Sequence, residues 1–339
     1  MVSALRPNPL PPEAVRTGRR RWLIATGAAC LPLGAAHAQG WQPTRPVRLI
    51  VPYPPGGAID IIGRFIAPQL QSALSQSVFV ENRGGAVGMI GSEIAYNAPP
   101  DGTTFVVASA DTHSINPAVY GDIRYDARAC APAAAIAKVD YILVGKPSLP
   151  ATTVREVMEL GRRQELTYAS SGVGSSAQVM TEALRLKYGL KMLHVPYGGS
   201  APTAVAVMSE QVDVALLPIT IALSNKAKLK IFGLVSNNRF AGEPTLQTLA
   251  EQGYPIDLDA AWVGLLAPPK TPREVLLRIN EIVDQLVKQP DTQTRLYSLG
   301  MAPFTMGLDE FGSYLRTEYG RWGGIVRTAG IRADSTAPK

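Results

Sequence analysis

The sequence contains very little cysteine and histidine, with two cysteines and three histidines among its 339 residues. Cys30 and His37 fall within the first 38 residues, which leaves Cys130, His113 and His194 in the rest of the chain. A single cysteine excludes an internal disulfide there. One thiol and two distant imidazoles match no known spacing of metal ligands, so we expect no metal site.

Sequence motifs of known catalytic sites are also scarce. The chain beyond residue 38 has no G-x-S-x-G sequence of the kind that serine hydrolases use. A glycine-rich turn from Gly84 to Gly91, with Asp111 twenty positions further on, imitates a dinucleotide-binding fingerprint, but its first two glycines are adjacent. We therefore expect no enzyme and no cofactor, and an exported dinucleotide-dependent oxidoreductase stays the weaker alternative.

The sequence lacks an apolar run long enough to cross a membrane as a helix. A short apolar run from Trp22 to Leu33 follows three arginines, Arg19 to Arg21, and precedes the small residues Ala36-His37-Ala38. This order is typical of a secretory signal peptide. We predict a signal peptide over residues 1–38, cleaved near Ala38-Gln39, and a periplasmic protein. General secretion and twin-arginine export both stay open.

Charge of one sign is not in large excess once the leader is removed. Five of the 33 basic residues and one of the 27 acidic residues lie in residues 1–38, which leaves 28 basic and 26 acidic residues. The formal net charge then falls from +6 to +2. Such a balance gives no reason to expect a nucleic-acid partner or a membrane-surface partner.

The remaining chain predicts two α/β units, which its length allows. Strands near 47–51, 78–80 and 103–109 alternate with helices, and this order predicts a parallel sheet. The first of these helices should start near Asp60 and be kinked or broken at Pro68. A second unit runs from a strand at 141–144 to a strand at 230–235. Two later helices, from about 271 and 309, have no strands of their own nearby, so we expect them to pack on the first unit.

Two glycine-containing turns contain neither lysine nor arginine. The first, Tyr53 to Asp60, joins a strand to a helix through two prolines and two glycines. The second, Ser170 to Ser176, precedes another helix. The first N–H groups of a helix lack partners and suit an anion. We expect the two turns to hold a carboxylate from opposite sides by N–H groups, hydroxyls and water.

Five short motifs, in this order, resemble the Bug family, the extracytoplasmic solute receptors of tripartite tricarboxylate transporters. They are Tyr53 to Asp60 with Arg64, Val80 to Arg83, Asn116-Pro117, Gly172 to Ser176, and His194 to Tyr197 followed by Gln211-Val212-Asp213.

The resemblance implies an α/β type II periplasmic-binding-protein fold, with two lobes joined by two crossover strands and a cleft between them. Lobe 1 would be discontinuous, residues 39–140 plus 263–339, and lobe 2 would be residues 141–262. The implied function is capture of a small carboxylated solute by a monomer and its delivery to membrane transporter subunits. A sensory receptor that passes its liganded state to a signalling partner stays the alternative.

Two residues depart from the family pattern in a way that removes positive charge near the cleft. Gln178 stands where many relatives carry His, and Gly198 stands where many carry Lys. Asp111 either meets an ammonium or hydroxyl group of the ligand or caps the following segment. For Asp60, Ser175 and Ser176, a helix cap is the alternative to a ligand contact. The predicted ligand-binding residues are Tyr53, Pro54, Gly56, Gly57, Ala58, Asp60, Ser109, Asp111, Thr112, Ser170, Gly174, Ser175, Ser176, Tyr197 and Gly198.

Overall fold

The computed structural model describes residues 41–256, 258 and 260–333, and the predicted signal peptide lies outside this range. The strands are β1 Val47–Val51, β2 Val78–Asn82, β3 Thr104–Ser109, β4 Ala131–Val139, β5 Tyr141–Gly145, β6 Leu166–Ser170, β7 Met192–Pro196, β8 Val214–Pro218, β9 Lys230–Leu234, β10 Ala261–Ala267 and β11 Met301–Pro303. The helices are α1 Ala58–Leu74, α2 Met89–Tyr96, α3 Asn116–Val119, α4 Val154–Arg163, α5 Ser176–Tyr188, α6 Ser200–Met208, α7 Ile219–Ser224, α8 Arg273–Lys288, α9 Pro290–Ser298 and α10 Leu308–Ala329.

Six strands form the first sheet, in the order β11-β4-β10-β3-β1-β2. β1 is parallel to both β2 and β3, with Leu49 opposite Val80 on one side and Phe105 on the other. The parallel arrangement predicted from the alternation is thus confirmed. Four of the five residues of β1 are buried, all but Arg48, as expected for a parallel strand covered on both faces.

The second sheet has five strands, in the order β7-β6-β8-β5-β9. β6 is parallel to β7 and β8, whereas β5 runs antiparallel to β8 and β9. The chain passes between the sheets twice, through Asp140 after β4 and again between β9 and β10. β10 begins at Ala261, two residues before the predicted start of the second part of lobe 1. The lobe limits themselves stay a prediction.

The last helices of the chain lie against the first sheet. Asn280 of α8 donates a hydrogen bond from Nδ2 to the Ala133 carbonyl of β4, at 3.0 Å. The ring of Phe311 in α10 meets the ring of Trp262 in β10 edge-on, at 6.0 Å between centroids. The segment that closes the chain therefore completes the core begun by its first strands.

The helix α1 continues through Pro68, so a break at this residue, one of the two predicted outcomes, is wrong. Proline removes one helical hydrogen bond. Burial of Ile62, Ile66 and Leu70 against the sheet holds the helix on both sides of that position.

Two further classes of feature are missing from the part of the chain that the structure describes. None of its helices combines the length and apolarity needed to cross a membrane. No group of three or more His, Cys, Asp or Glu side chains in these residues could hold a metal ion.

Candidate functional site

A small cavity of about 60 Å³, partly open to solvent, lies between the two sheets. Its wall combines two helix starts, the ends of β1 and β3, and the residues beside both chain crossings. The lining residues are Tyr53, Pro54, Pro55, Gly57, Ala58, Ile59, Ser109, Asp111, Val139, Tyr141, Ser171, Gly199, Ser200, Ala201, Pro202, Pro218, Ala261 and Val263. None of them is a lysine or an arginine.

The first helix start is that of α1. Gly56 has a φ of +85°, a value that favours glycine, and Gly57 is the residue that precedes the helix. Gly57, Ala58 and Ile59 line the cavity. Their N–H groups belong to the start of a helix, where no carbonyl of the helix is available to them, and they carry the positive end of the helix dipole.

Asp60 fixes this turn from behind rather than lining the cavity. Its carboxylate accepts hydrogen bonds from Gly56 N at 2.9 Å, Arg64 Nε at 3.0 Å and Asn82 Nδ2 at 2.8 Å. Burial raises the pKa of Asp60, but the hydrogen bonds from Arg64, Gly56 and Asn82 outweigh it and hold the pKa below its usual value. Asn82 also donates to the Tyr53 carbonyl at 3.1 Å, so β2 and α1 together hold the glycine turn in place.

The second helix start in the cavity is that of α6, which follows β7 of the other sheet. Gly199 precedes the helix with a φ of +143°, and Ser200, Ala201 and Pro202 form its first turn on the cavity wall. Thr203 Oγ1 donates back to the Gly199 carbonyl at 2.7 Å. Two helix N-termini, one from each side of the cleft, thus border the same space.

The predicted second turn, Ser170 to Ser176, contributes only Ser171 to this wall. Its other polar groups are hydrogen-bonded within the protein, mostly to residues outside the turn. Ser170 Oγ contacts His194 Nε2 at 2.6 Å and donates to the Gly172 carbonyl at 3.0 Å. The Gly174 N–H donates to Gln178 Oε1 at 2.7 Å, and Ser175 Oγ caps α5 by accepting from the Gln178 N–H at 3.3 Å.

Gln178 and His194 brace this turn from the inside. Gln178 Nε2 lies 3.1 Å from His194 Nδ1. Burial lowers the pKa of His194 to about 4, so the ring is neutral at pH 7 and its Nδ1 can accept from the amide. The ring nitrogen Nε2 then donates to Ser170 Oγ. Gln178, which stands where many relatives carry His, therefore stabilises the turn from Ser170 to Ser176.

The N-terminus of α5 holds a carboxylate that belongs to the chain itself. Asp111, in a short π-helical turn after β3, accepts at Oδ1 from the Ser176 N–H, at 2.8 Å, and from Ser176 Oγ. Its other oxygen, Oδ2, accepts from the Tyr53 hydroxyl at 3.3 Å. Burial raises the pKa of Asp111. Asp111 thus lines the cavity and at the same time links the first sheet to a helix of the second.

Two phenols complete the polar part of the cavity. Tyr53 and Tyr141 both line it, and burial raises the pKa of each well above its usual value. Both are therefore neutral hydroxyls that can donate or accept. Val139, Ala261 and Val263 add an apolar floor.

A neighbouring hollow shares Tyr53, Pro54 and Ser171 with the cavity. It includes Tyr197, whose hydroxyl contacts Gln211 Oε1 at 3.4 Å, and Gly198. Val87 forms part of its wall with a φ of +49°, which is strained for a β-branched residue.

Val87 packs closely against Gly172, and its carbonyl accepts a hydrogen bond from Asn116. A Cβ placed on Gly172 would lie 2.7 Å from Val87 Cγ2, so only glycine fits there. Asn116 Nδ2 donates to the Val87 carbonyl at 2.9 Å and holds the loop in that position.

The predicted site residues fall into three groups, and their role in binding stays a prediction. Tyr53, Pro54, Gly57, Ala58, Ser109 and Asp111 line the cavity. Tyr197 and Gly198 line the neighbouring hollow. Gly56, Asp60, Thr112, Ser170, Gly174, Ser175 and Ser176 lie outside both linings.

Sequence reasoning missed the start of α6 as a wall of the cavity. The sequence does contain a sign of it. Two adjacent glycines, Gly198 and Gly199, precede α6, just as Gly56 and Gly57 precede α1.

A family model described as the tripartite tricarboxylate transporter family receptor matches residues 62–331. The chain belongs to this receptor family. Its relatives are periplasmic solute-binding proteins and not enzymes, which confirms the resemblance read from the motifs and the expectation of a receptor.

Three relatives illustrate the likeness. BugT of Bordetella pertussis is 28% identical over 318 residues, which cover 91% of this chain and 95% of BugT. The structure of R. palustris Rpa4515 with adipate is 29% identical, covers 86% of this chain and 99% of that one, and has a TM-score of 0.82. MatC (Rpa3494) from Rhodopseudomonas palustris with bound malate is 26% identical, covers 84% and 99%, and has a TM-score of 0.75. The two-lobe periplasmic solute-binding fold is therefore confirmed.

Proposed function

We propose that this receptor captures a small carboxylated solute in the cavity and delivers it to the membrane subunits of a tripartite transporter. The observation that carries the proposal is the pair of helix N-termini, α1 and α6, that border one cavity from opposite sides. The relatives crystallised with adipate and malate support a carboxylate as the ligand class.

The wall suits a carboxylate because it offers N–H groups and hydroxyls in place of a guanidinium. The N–H groups of Gly57 and Ala58 and those of Ser200 and Ala201 can approach an anion closely, with the helix dipoles aligned toward it. Inside a closed cleft these dipoles act in a medium of lower dielectric constant, so each hydrogen bond counts for more than it does in water.

Closure follows from the same geometry. A ligand held by one wall contacts only one helix start, whereas closure adds the donors of the second. The ligand therefore favours the closed state by the free energy of those added contacts, as any ligand-driven change of conformation requires.

Export through the signal peptide at residues 1–38 and a monomeric state belong to the same proposal. Residues 39–140 plus 263–339 form the first lobe and residues 141–262 the second. The membrane partner would then recognise the surface that closure creates across both lobes.

A thermal-shift screen tests the proposed ligand class. Small carboxylic acids are compared with their amides of the same carbon skeleton at pH 7, and calorimetry measures the Kd of each acid that raises the Tm. We expect the acids to raise the Tm and the amides to leave it unchanged. Equal shifts for an acid and its amide would remove the anion site from the proposal.

A further inference from the structure

Asp111 places a negative charge on the wall of a cavity that otherwise offers donors. The residue is 7% exposed, and its Oδ1 atom takes up both donors of Ser176 at the start of α5. That helix start, which could have held a carboxylate of the ligand, already holds one from the protein.

The second oxygen of Asp111 is far less well satisfied. Its protein contact is the Tyr53 hydroxyl at 3.3 Å, a long hydrogen bond for two oxygen atoms. A carboxylate that is hydrogen-bonded on one side and faces a cavity on the other has acceptor capacity left for a ligand.

No positive side chain compensates this charge. Among residues 41–256, 258 and 260–333, no lysine, arginine or histidine forms an ion pair with Asp111. His113 lies two positions away, but burial lowers its pKa to about 3 and keeps it neutral. The start of α5 stabilises the carboxylate through Ser176, but it offers no full positive charge, so a cation placed beside the other oxygen adds to that stabilisation.

We propose that Asp111 determines the substrate class of the receptor by selecting solutes that carry one carboxylate and one ammonium group, that is, amino acids, over dicarboxylates. The proposal rests on the carboxylate-binding function proposed above. The carboxylate of the ligand lies against the starts of α1 and α6, and its ammonium group donates to Asp111 Oδ2. A second carboxylate in that place would meet a like charge in a desolvated site and be rejected.

Another hollow of the molecule gives a weaker basis for assigning a ligand. The hollow behind the site, between His113, Cys130 and α10, has an unpartnered His113 Nε2 and two arginines on its rim, but nothing there selects one ligand chemistry. At Asp111, by contrast, the charge of the required ligand group follows from the contacts themselves.

Calorimetry with ligands of equal chain length tests the proposal on the unmodified protein. The four probes are an unsubstituted monocarboxylate, the ω-hydroxy acid, the ω-amino acid and the dicarboxylate, and α-amino acids of increasing length extend the series. We expect an amino acid to bind at least tenfold more tightly than the matched monocarboxylate, about 1.4 kcal/mol, and the dicarboxylate to bind more weakly than either. A hydroxy acid that equals the amino acid overturns the ammonium assignment.

The variant Asp111→Asn supplies the matched comparison, because it keeps the shape of the side chain and removes its charge. We expect the variant to lose the tenfold preference for the amino acid and to gain affinity for the dicarboxylate. Circular dichroism and the Tm establish that the variant is folded.

The two proposals fail in different ways. If carboxylates bind in preference to amides but dicarboxylates equal or exceed amino acids, the role of Asp111 is overturned and the carboxylate site stands. If acids and amides bind alike, the carboxylate site itself is overturned.

Discussion

Gly57 and Ser200 face each other across the cavity, one at the start of α1 and the other at the start of α6. A Cβ placed on Gly57 would lie 3.5 Å from Ser200 Oγ, which is ordinary van der Waals contact. One carbon atom therefore fits between the two helix starts. This spacing makes residue 57 a direct probe of how closely the lobes approach.

Two substitutions of Gly57 should separate packing from binding. Gly57→Ala adds one carbon at a tolerated distance, and we expect a change in Kd of less than about fivefold. Gly57→Val adds two methyl groups toward Ser200 and the cavity, and we expect at least a hundredfold loss of affinity, about 2.7 kcal/mol. Both variants should keep a cooperative thermal transition, since φ of Gly57 is −81° and open to any residue. Equal Kd values for the two variants would place the ligand elsewhere.

Ser175 and Ser176 are neighbours with separate roles. Ser175 Oγ caps α5, so Ser175→Ala should lower the free energy of unfolding by about 1 kcal/mol with little effect on the Kd. Ser176 Oγ donates to Asp111, so Ser176→Ala should instead weaken the preference for amino acids over dicarboxylates. Urea unfolding and calorimetry on both single variants measure the two effects. A loss of stability alone in Ser176→Ala would show that its contact with Asp111 has no influence on ligand choice.

Acid should destabilise the protein through the buried His113 and the partly buried His194 before most carboxylates titrate. Burial lowers the pKa of His113 to about 3 and that of His194 to about 4, whereas the unfolded chain takes up a proton near pH 6.5. The unfolded state therefore binds more protons below pH 6.5, and stability falls as the pH drops through that value. We expect a loss of about 2 kcal/mol between pH 7 and 5.5 for the two together.

Nuclear magnetic resonance checks the same point directly. The ring protons of His113 and His194 should keep constant chemical shifts from pH 7.5 to 5. A midpoint near pH 6.5 for either ring would mean that it is not neutral and buried in the folded protein. His113 is 5% exposed, and its Nδ1 atom lies 2.8 Å from Thr112 Oγ1.

Asp111 should show the opposite dependence on pH. Burial raises its pKa, so the folded protein binds this proton more readily than the unfolded chain does. The contribution of Asp111 to stability is therefore favourable in acid and is lost as the pH rises through the raised pKa. Without ligand, Asp111→Asn should be more stable than the unmodified protein at pH 7, and the difference should shrink as the pH falls toward 4. Thermal unfolding of the two proteins in parallel isolates this group, since their other acids are the same.

The sequence predicts the turn before α1 well because local chemistry dictates its backbone. Two prolines and two glycines between a buried strand and an amphipathic helix allow few backbone paths other than the turn observed at Gly56 and Gly57. The contact between Asp111 and Ser176 could not be predicted in this way. It joins residues 65 positions apart, one in the turn after β3 of the first sheet and one in the helix after β6 of the second, and it depends on how the two lobes meet.

The contrast between local patterns and long-range contacts also explains why the sequence does not predict β4 and α9. β4 begins with small residues, Ala131 to Ala135, that show neither the alternation nor the β-branched side chains typical of a strand. It becomes a strand because β10 and β11 pair with it. α9 follows α8 after a single residue and starts at Pro290, a position that reads in the sequence as an end rather than a beginning.

The two crossings give the cavity a floor that is common to both lobes. Val139 and Tyr141 flank Asp140, and Ala261 and Val263 begin the strand that follows the second crossing. Residues beside a hinge axis are displaced least when two bodies rotate about it, whereas residues at the mouth travel furthest. In the closure proposed above, the floor would therefore act as a fixed reference for the length of a solute, while the helix starts of the two walls would adapt to its width.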